Sequence, residues 1–309
     1  MRKRKRKIVI RVLLGLLLIT TIGGYIGFTH IAPYAILQPG RVSSDITPSD
    51  YSVQSDPLTI RVADSIDLKA HWIYASEQDP KGVMIFVHGI GSCKESFIPL
   101  AASFALRGYS SVVFDLRAHG KSGGEFCTYG FYEKQDIAKI VDVIKEKHPN
   151  TPIGIWGNSL GGAISLQALE YDERIDFGII ESTFTELHII VHDYKKRFLK
   201  GFGVKSLSNY ALEKAGEVGS FDPMEVSPIS SVKNIEQPVF IAHGDADERI
   251  SYTYGKALYD NLASQNKHFE LVEGAGHLNV GQIGGEAYMR LIFDFIEAQT
   301  KPISDEITF

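Results

Sequence analysis

Cysteine is scarce in this sequence, with only Cys93 and Cys127 among 309 residues. Two cysteines cannot build the disulfide framework of a small secreted domain or a metal-binding cysteine cluster. Internal repeats and low-complexity tracts are also missing. Hydrophobic residues make up 44% of the chain. This share excludes disorder of the whole chain, and the chain is long enough for one large α/β domain with an appendage.

Positive charge is scarce outside the N-terminus. Residues 1–11 hold seven Lys and Arg and no acid, which leaves 25 basic against 37 acidic residues in the rest of the chain. Nucleic-acid binding needs clustered Lys and Arg on the folded surface to neutralise phosphates. The acidic body therefore argues against a nucleic acid as partner.

The basic start, MRKRKRK, leads into an uncharged run over residues 12–28. The apolar residues 8–10 extend this run, with Arg11 as the one charge between them, and the Arg11 side chain can snorkel towards the headgroups. The extended run approaches the roughly 20 residues that are needed to cross a bilayer. The positive charges before it predict a cytoplasmic N-terminus and a body on the other side of the membrane. We expect residues 1–29 to be a cytoplasmic tail and an uncleaved transmembrane signal anchor. A cleaved signal peptide and a nuclear or nucleic-acid-binding basic tract are the alternatives.

The rest of the chain divides by composition and periodicity. Residues 30–56, rich in proline, indicate an extended tether. A hairpin then opens a domain over residues 57–300, in which buried strands alternate with helices. This order predicts an α/β fold, a mostly parallel sheet covered on both faces, with its site beyond the carboxyl ends of the strands. Residues 182–237 form a cap-like insertion, and residues 301–309 a C-terminal tail.

The stretch IGIWGNSLGGAIS, residues 153–165, contains a serine flanked by glycines. Ser159 follows a short buried strand and precedes a helix, with Gly157 and Gly161 two positions away on each side. A turn this sharp strains the central residue, brings neighbouring backbone close and lifts the hydroxyl clear of the sheet. The pattern is that of a nucleophile elbow. The alternative is a glycine-rich turn with an incidental serine.

A second motif, HGIGS, follows the strand that ends at Val87. Its glycine-rich turn can present backbone amides inward, and Ile90 is the best candidate donor. Leu160, at the start of the helix after Ser159, supplies a second amide. Two such donors form an oxyanion hole. A simple strand-to-helix turn is the alternative.

Two further motifs, HGDADERI and EGAGHLN, follow later strands. Asp245 and Asp247 are both possible carboxylates for orienting an imidazole. Asp247 is favoured because it lies further out on the loop, whereas Asp245 suits turn hydrogen bonds. His277 lies on a loop between glycines and a helix and is the third member in the order Ser, Asp, His. A solvated loop histidine is the alternative.

The run FDLRAHGKSGGEFCTYG adds polar residues at the same edge, and we expect them to be structural. They are Asp115, Arg117, His119, Lys121 and Ser122. Among them, His119 is the rival base. Its position directly after a strand suits packing against the oxyanion loop better than reaching Ser159.

Cys93 and Cys127 both lie in loops after strands at this edge, and an extracytoplasmic body permits their oxidation. A disulfide between them would clamp the oxyanion loop. Two independent buried thiols are the alternative.

Together these motifs resemble α/β-hydrolase-fold serine hydrolases, in particular the membrane-anchored, serine-aminopeptidase-like branch. The similarity covers residues 57–300. It rests on Gly157 to Gly161, His88 to Gly91, the DxRxHGxSGG run from Asp115 to Gly124, Tyr129, Gly130, Ser227, Pro228, Asp247 and His277. The resemblance implies a twisted sheet with a cap and esterase, thioesterase, lipase or peptidase chemistry. One departure is HGIG in place of the HGGG oxyanion motif of many lipases.

The expected activity is hydrolysis of a small-molecule or lipid acyl ester or thioester, without a metal or an organic cofactor. Ser159 attacks, His277 moves the proton, and Asp247 fixes the imidazole. A peptidase needs an acidic group to hold a substrate amine, and no pattern in the insertion points to a residue with this role. Peptidase activity, acyl transfer and an inactive membrane-tethered binding protein are the alternatives.

The insertion 182–237 also carries a basic run, which indicates a solvated helix face or an amphipathic surface near anionic lipids. The basic residues are Lys195, Lys196, Arg197, Lys200 and Lys205.

Overall fold

The structure is a computed structural model that describes residues 2–63, 65–198 and 205–301. The strands are β1 (Ser55–Ala63), β2 (Ile66–Ile73), β3 (Gly82–Val87), β4 (Tyr109–Phe114), β5 (Ile153–Asn158), β6 (Phe177–Glu181), β7 (Val239–Gly244) and β8 (Lys267–Val272). The α-helices are α1 (Arg2–Ile26), α2 (Ala32–Leu37), α3 (Ile98–Ala105), α4 (Glu133–Lys147), α5 (Leu160–Tyr171), α6 (Leu187–Phe198), α7 (Lys205–Gly219), α8 (Pro228–Ser231), α9 (Tyr252–Asn261) and α10 (Val280–Thr300). A π-helical turn, Gly27–Ile31, joins α1 to α2.

The strands form one sheet in the order β1-β2-β4-β3-β5-β6-β7-β8. Strand β2 pairs antiparallel with β1 and β4, and all other neighbours pair in parallel. The predicted opening hairpin and mostly parallel sheet are therefore confirmed. Strand β3, with the sequence GVMIFV, is buried at every position because helices cover both of its faces.

Two apolar layers lie on the two faces of the sheet. Helices α4, α5 and α9 pack on one face, with Ile140, Ile164 and Leu258 among their fully buried residues. Helices α3 and α10 pack on the other, with Phe104 and Ile296 fully buried. The core thus holds the parallel strands rigidly and leaves their carboxyl ends as the place where loops converge.

Strand order reverses at β3, which has β4 on one side and β5 on the other. The last residue of β3, Val87, pairs with Gly157 of β5. In open α/β sheets, ligands bind in the crevice beyond such a switch point. The loop after β3 and the turn after β5 therefore face the same crevice.

The sequence pattern predicts a last helix over residues 286–299, and helix α10 begins earlier than this. It runs from Val280 and passes through a kink at Gly285, whose φ of 56° and ψ of −145° are not helical. Because two adjacent glycines favour a break, the pattern predicts only the part after this kink. The C-terminal residues 302–309, most of the predicted tail, lie outside the described residues.

The N-terminal region differs from the predicted tether. Residues 27–37 continue α1 helically, so the prediction of an extended chain from residue 30 is wrong for this part. Pro33 indicated an irregular chain, but it lies in the first turn of α2, where its missing N–H is no loss. The helical segment Arg4–Leu37 is long and apolar enough to cross a membrane by length and composition, with a mean hydropathy of 2.1 over its most apolar window.

The segment after α2 is tied to the domain by Arg41. Its Nη1 donates to the carbonyls of His119 (3.2 Å), Gly120 (3.1 Å) and Ser122 (2.6 Å), and its Nη2 donates to Gly124 (2.7 Å). A guanidinium group suits this task because it presents several donors in a rigid plane. The chain from α2 to Arg41 is therefore a fixed part of the body.

The predicted insertion 182–237 holds α6, α7 and α8. Helix α7 packs against both α6 and α2, so the insertion and the N-terminal segment cover the crevice together. Of the predicted basic residues, Arg197 and Lys205 are exposed, and Lys200 lies outside the described residues.

Candidate active site

Ser159 lies in the turn between β5 and α5 and has a φ of 53° and a ψ of −119°. This left-handed conformation is costly for a residue with a side chain. Two hydrogen bonds fix it. Its N–H donates to the backbone carbonyl of Glu181 (2.9 Å), and its carbonyl accepts from the Thr183 hydroxyl (2.7 Å). The backbone strain is thus held by the end of β6.

The flanking glycines are required by space. A Cβ at Gly161 would overlap the carbonyl oxygen of Val87, and one at Gly157 would overlap the carbonyl oxygen of Gly161. Helix α5 therefore packs directly on the end of β3. This contact brings the first amides of α5 beside the loop that follows β3.

Three predicted side chains meet at the carboxyl end of the sheet. His277 Nε2 lies 2.9 Å from Ser159 Oγ, and His277 Nδ1 lies 2.8 Å from Asp247 Oδ2. The distance to Asp247 places a proton on Nδ1, which leaves Nε2 as the acceptor of the serine proton. The side chain of Asp247 is fully buried, and that of His277 is only 6% exposed. The arrangement can transfer a proton from a serine to an imidazole away from bulk water.

Asp247 is surrounded by donors. Its Oδ1 accepts from the amides of Arg249 (2.8 Å) and Ile250 (2.9 Å), and its Oδ2 lies 3.3 Å from His243 Nε2. Burial by itself raises the pKa of Asp247, but the bonds from His243, His277 and Ile250 outweigh it and hold the pKa well below its usual range. The carboxylate therefore stays ionised at neutral pH.

The rival residues lie elsewhere. Asp245 accepts from the Gly274 amide (2.6 Å), a backbone role like the one expected for it. The ring of His119 lies 5.1 Å from that of His88, and its Nδ1 lies 2.9 Å from the Arg117 carbonyl. His119 thus packs against the loop after β3, and the ring that meets Ser159 is that of His277.

The loop after β3 is positioned by His88, a buried residue. Its Nδ1 lies 2.8 Å from the Gly89 carbonyl, and its Nε2 accepts from the Leu116 amide at 3.1 Å. Ile90 and Leu160, the two predicted amide donors, both line the cavity that contains Ser159. Helix α5 begins at Leu160, so the N-terminus of this helix lies at the cavity, and the first amides of a helix have no partner within the helix.

A buried charge cluster supports the same loop. Asp115 accepts from Lys94 Nζ (3.0 Å), from the Lys94 amide (2.8 Å) and from the Lys121 amide (2.9 Å). Its own carbonyl accepts from the Ser122 hydroxyl (2.6 Å). Asp115, Lys121 and Ser122 thus have structural contacts, and Arg117 forms a buried ion pair with Asp136.

Sequence reasoning missed several of these supporting residues. They are Thr183, His243, Lys94 and Arg41. No local pattern marks any of them, although His243 precedes Asp245 by two residues and Asp247 by four. Only the folded chain shows that its ring lies under Asp247.

Cys93 and Cys127 are both buried free thiols, so the predicted disulfide is absent from the structure. Each thiol has its own carboxylate partner, Glu95 for Cys93 and Glu133 for Cys127. Burial raises the pKa of both thiols, that of Cys93 to about 11. The two cysteines are therefore independent core residues of low reactivity.

A cavity of about 780 Å³ opens beside Ser159. Most of its lining is apolar and comes from the N-terminal segment, the loop after β3 and the insertion. The lining residues are Phe28, Ala32, Ala35, Ile36, Ile90, Tyr129, Ser159, Leu160, Phe184, Ile190, Val191, Tyr194, Leu207, Ser208, Ala211 and Ile250. Among these residues, none carries a carboxylate or an ammonium group.

Comparison with known proteins shows that this chain is similar to hydrolases. Residues 78–220 match the family described as serine aminopeptidase, S33. A monoacylglycerol lipase of Mycolicibacterium smegmatis is 22% identical over 72% of this chain and 89% of its own length. The lysophosphatidylserine lipase ABHD12 of Danio rerio is 27% identical over 64% of this chain and 51% of its own length.

Among solved structures, the esterase Pf2001 of Pyrococcus furiosus superposes with a TM-score of 0.72 at 23% identity. It covers 86% of this chain and 99% of its own. At this identity the likeness shows the fold alone, which is the α/β-hydrolase fold.

The environment of His88 makes the loop after β3 sensitive to acid. Burial, with the neighbouring His119, lowers the pKa of His88 to about 4. The unfolded chain, with a histidine pKa near 6.5, then binds more protons than the folded chain between pH 6.5 and 4, so folding stability falls as pH falls through this window. We predict a loss of about 2 kcal/mol from His88 between pH 7.5 and 5.

Chemical denaturation at several pH values measures this loss. His88→Gln should be less stable at pH 7.5 but show a flatter dependence on pH, because glutamine does not titrate. His268→Gln, at a half-exposed position on β8, is the matched control and should keep the wild-type slope. An unchanged slope in His88→Gln would contradict the assignment.

Proposed function

Because the chain belongs to the α/β-hydrolase fold, we propose that it hydrolyses carboxylic ester or thioester bonds through Ser159, His277 and Asp247. The observation that carries this proposal is the continuous relay of two hydrogen bonds, 2.9 Å from Ser159 to His277 and 2.8 Å from His277 to Asp247. The strained backbone of Ser159 supports it, because strain of this kind clusters at reactive positions.

In the first half of the reaction, Ser159 Oγ attacks the carbonyl carbon of the substrate. Its proton moves to His277 Nε2, and the imidazolium so formed is stabilised by Asp247. His277 then gives this proton to the departing alcohol or thiol as the carbonyl–oxygen or carbonyl–sulfur bond breaks. The acyl group is left as an ester on Ser159.

The second half repeats these steps with water. His277 takes a proton from water, the resulting hydroxyl attacks the acyl carbon, and the proton returns to Ser159 Oγ as the acid leaves. In both halves the backbone amides of Ile90 and Leu160 hold the negative carbonyl oxygen. Loss of one such donor typically costs about 3 kcal/mol of transition-state stabilisation.

The cavity favours esters over peptides. Its described lining has no acid that would hold the ammonium group of an aminopeptidase substrate, although the matched family is described as an aminopeptidase. An apolar lining instead favours an acyl group. Two of the similar proteins are named as lipases. Ester or thioester hydrolysis therefore ranks above peptide hydrolysis.

We further propose that the apolar segment anchors the protein, with the basic N-terminus in the cytoplasm and the catalytic domain on the other side. The positive residues before α1 support this orientation. In intact cells, an impermeant thiol reagent should label a cysteine placed at exposed Lys233 and spare one placed at Lys5. Labelling of the cysteine at position 5 and not of the one at position 233 would contradict this orientation.

Steady-state kinetics test the chemistry. Wild-type protein should hydrolyse p-nitrophenyl acyl esters, and Ser159→Ala should lower kcat by at least about 10³-fold, because the nucleophile is lost. Ser103→Ala, in helix α3, is the matched serine control and should retain wild-type activity. Aminoacyl p-nitroanilides should be much poorer substrates.

Equal activity of wild type and Ser159→Ala would exclude this mechanism. A preference for the anilides over the esters would instead favour the peptidase alternative.

A further inference from the structure

The N-terminal segment that leaves the apolar helix also forms one wall of the catalytic cavity. Phe28, Ala32, Ala35 and Ile36 line the same cavity as Ser159. Their spacing of four, three and one residues places them on one face of a helix. The sequence of this segment suggests only a membrane anchor and a tether. In the fold, however, the segment contacts the space in which the substrate must lie.

This wall is held firmly against the domain. The Tyr129 hydroxyl donates to the Ile36 carbonyl at 2.6 Å, and the Cys127 amide donates to the Leu37 carbonyl at 2.8 Å. Leu37 is completely buried in the core, and Arg41 bonds four carbonyls of the body just beyond it. The position of the wall is thus fixed by buried contacts on its C-terminal side.

The mouth of the cavity is rimmed by exposed apolar side chains. Ile90, Tyr194 and Leu207 line the cavity, yet they remain 43%, 38% and 39% exposed. Apolar residues left exposed around a cavity mark a surface that meets lipid or another apolar partner. Phe28, which lines the same cavity, is the last residue of the uncharged run. The cavity therefore extends from the reactive serine to the end of the apolar helix.

From these contacts we infer that residues 28–36 form the binding wall for the acyl chain, and that the substrate is a single-chain lipid amphiphile taken up where the helix leaves the membrane. This inference rests on the proposed ester hydrolysis. The volume of about 780 Å³ lies within the range of roughly 300–1,000 Å³ that holds one ligand of moderate size. One long acyl chain fits this space and the uncharged lining.

The test enlarges a side chain on this wall and leaves the reactive groups unchanged. Ala35→Trp in the full chain, purified in detergent, should shorten the space available to the acyl chain. The kcat/KM of a 16-carbon p-nitrophenyl ester should fall at least tenfold relative to that of a 4-carbon ester, since each methylene excluded from an apolar site costs about fourfold. Ile31→Trp, on the outward face of the same segment and 63% exposed, is the matched control and should keep the wild-type ratio.

Labelling of Ser159 by a small fluorophosphonate separates the possible failures. If wild-type protein neither labels nor hydrolyses either ester, the proposed function fails and the inference with it. If Ala35→Trp labels like wild type and keeps the wild-type ratio of the two esters, the inference is overturned while the proposed function stands. Ala32→Phe is the second variant should Ala35→Trp not fold, and the same fall in the ratio is expected for it.

Discussion

The close approach of helix α5 to the end of β3 is the constraint on which the site depends. Only glycine fits at positions 157 and 161, where a side chain would overlap neighbouring carbonyl groups. Ser159 lies between these two glycines and has a left-handed conformation. The close approach sets the first amides of α5 beside the loop after β3, so that the serine hydroxyl and the amides face one crevice. The position of Ser159 relative to this loop therefore depends on close backbone packing.

Buried polar groups on either side keep this geometry in place. His88 and Asp115 hold the loop after β3 through backbone amides, and Thr183 holds the carbonyl of Ser159. Because a buried charge without its partner is strongly destabilising, Lys94 and Asp115 act as a unit. The mostly apolar cavity lies against these rigid supports. A neutral substrate with an apolar chain suits such a site better than a charged one.

Much of this arrangement is predictable from the sequence, because it follows from local patterns. Buried strands with polar residues at their ends predict where Ser159, Asp247 and His277 lie, and the parallel sheet brings them to one edge. Asp247 lies further along its loop than Asp245, and it is Asp247 that bonds His277, as this position predicts. The role of His243 under Asp247 depends on the turn of that loop and is not visible in the pattern.

Other features depend on contacts between residues far apart in the chain. Arg41 bonds carbonyls nearly 80 residues away, and neither partner carries a local signal for it. The course of residues 27–37 depends on packing against α7, which overrides the irregular chain that Pro33 suggested. The thiols of Cys93 and Cys127 each bond a different carboxylate, a choice that loop positions cannot show.

The proposed activity requires that His277 and Asp247 activate Ser159. Peptide mapping of the protein after reaction with an alkyl fluorophosphonate tests this activation. We expect a single adduct, on the peptide that contains Ser159. This adduct should form at least 100-fold more slowly in His277→Ala than in wild-type protein or in His268→Ala. An adduct on another residue, or an equal rate in the folded His277→Ala variant, would show that His277 does not activate Ser159.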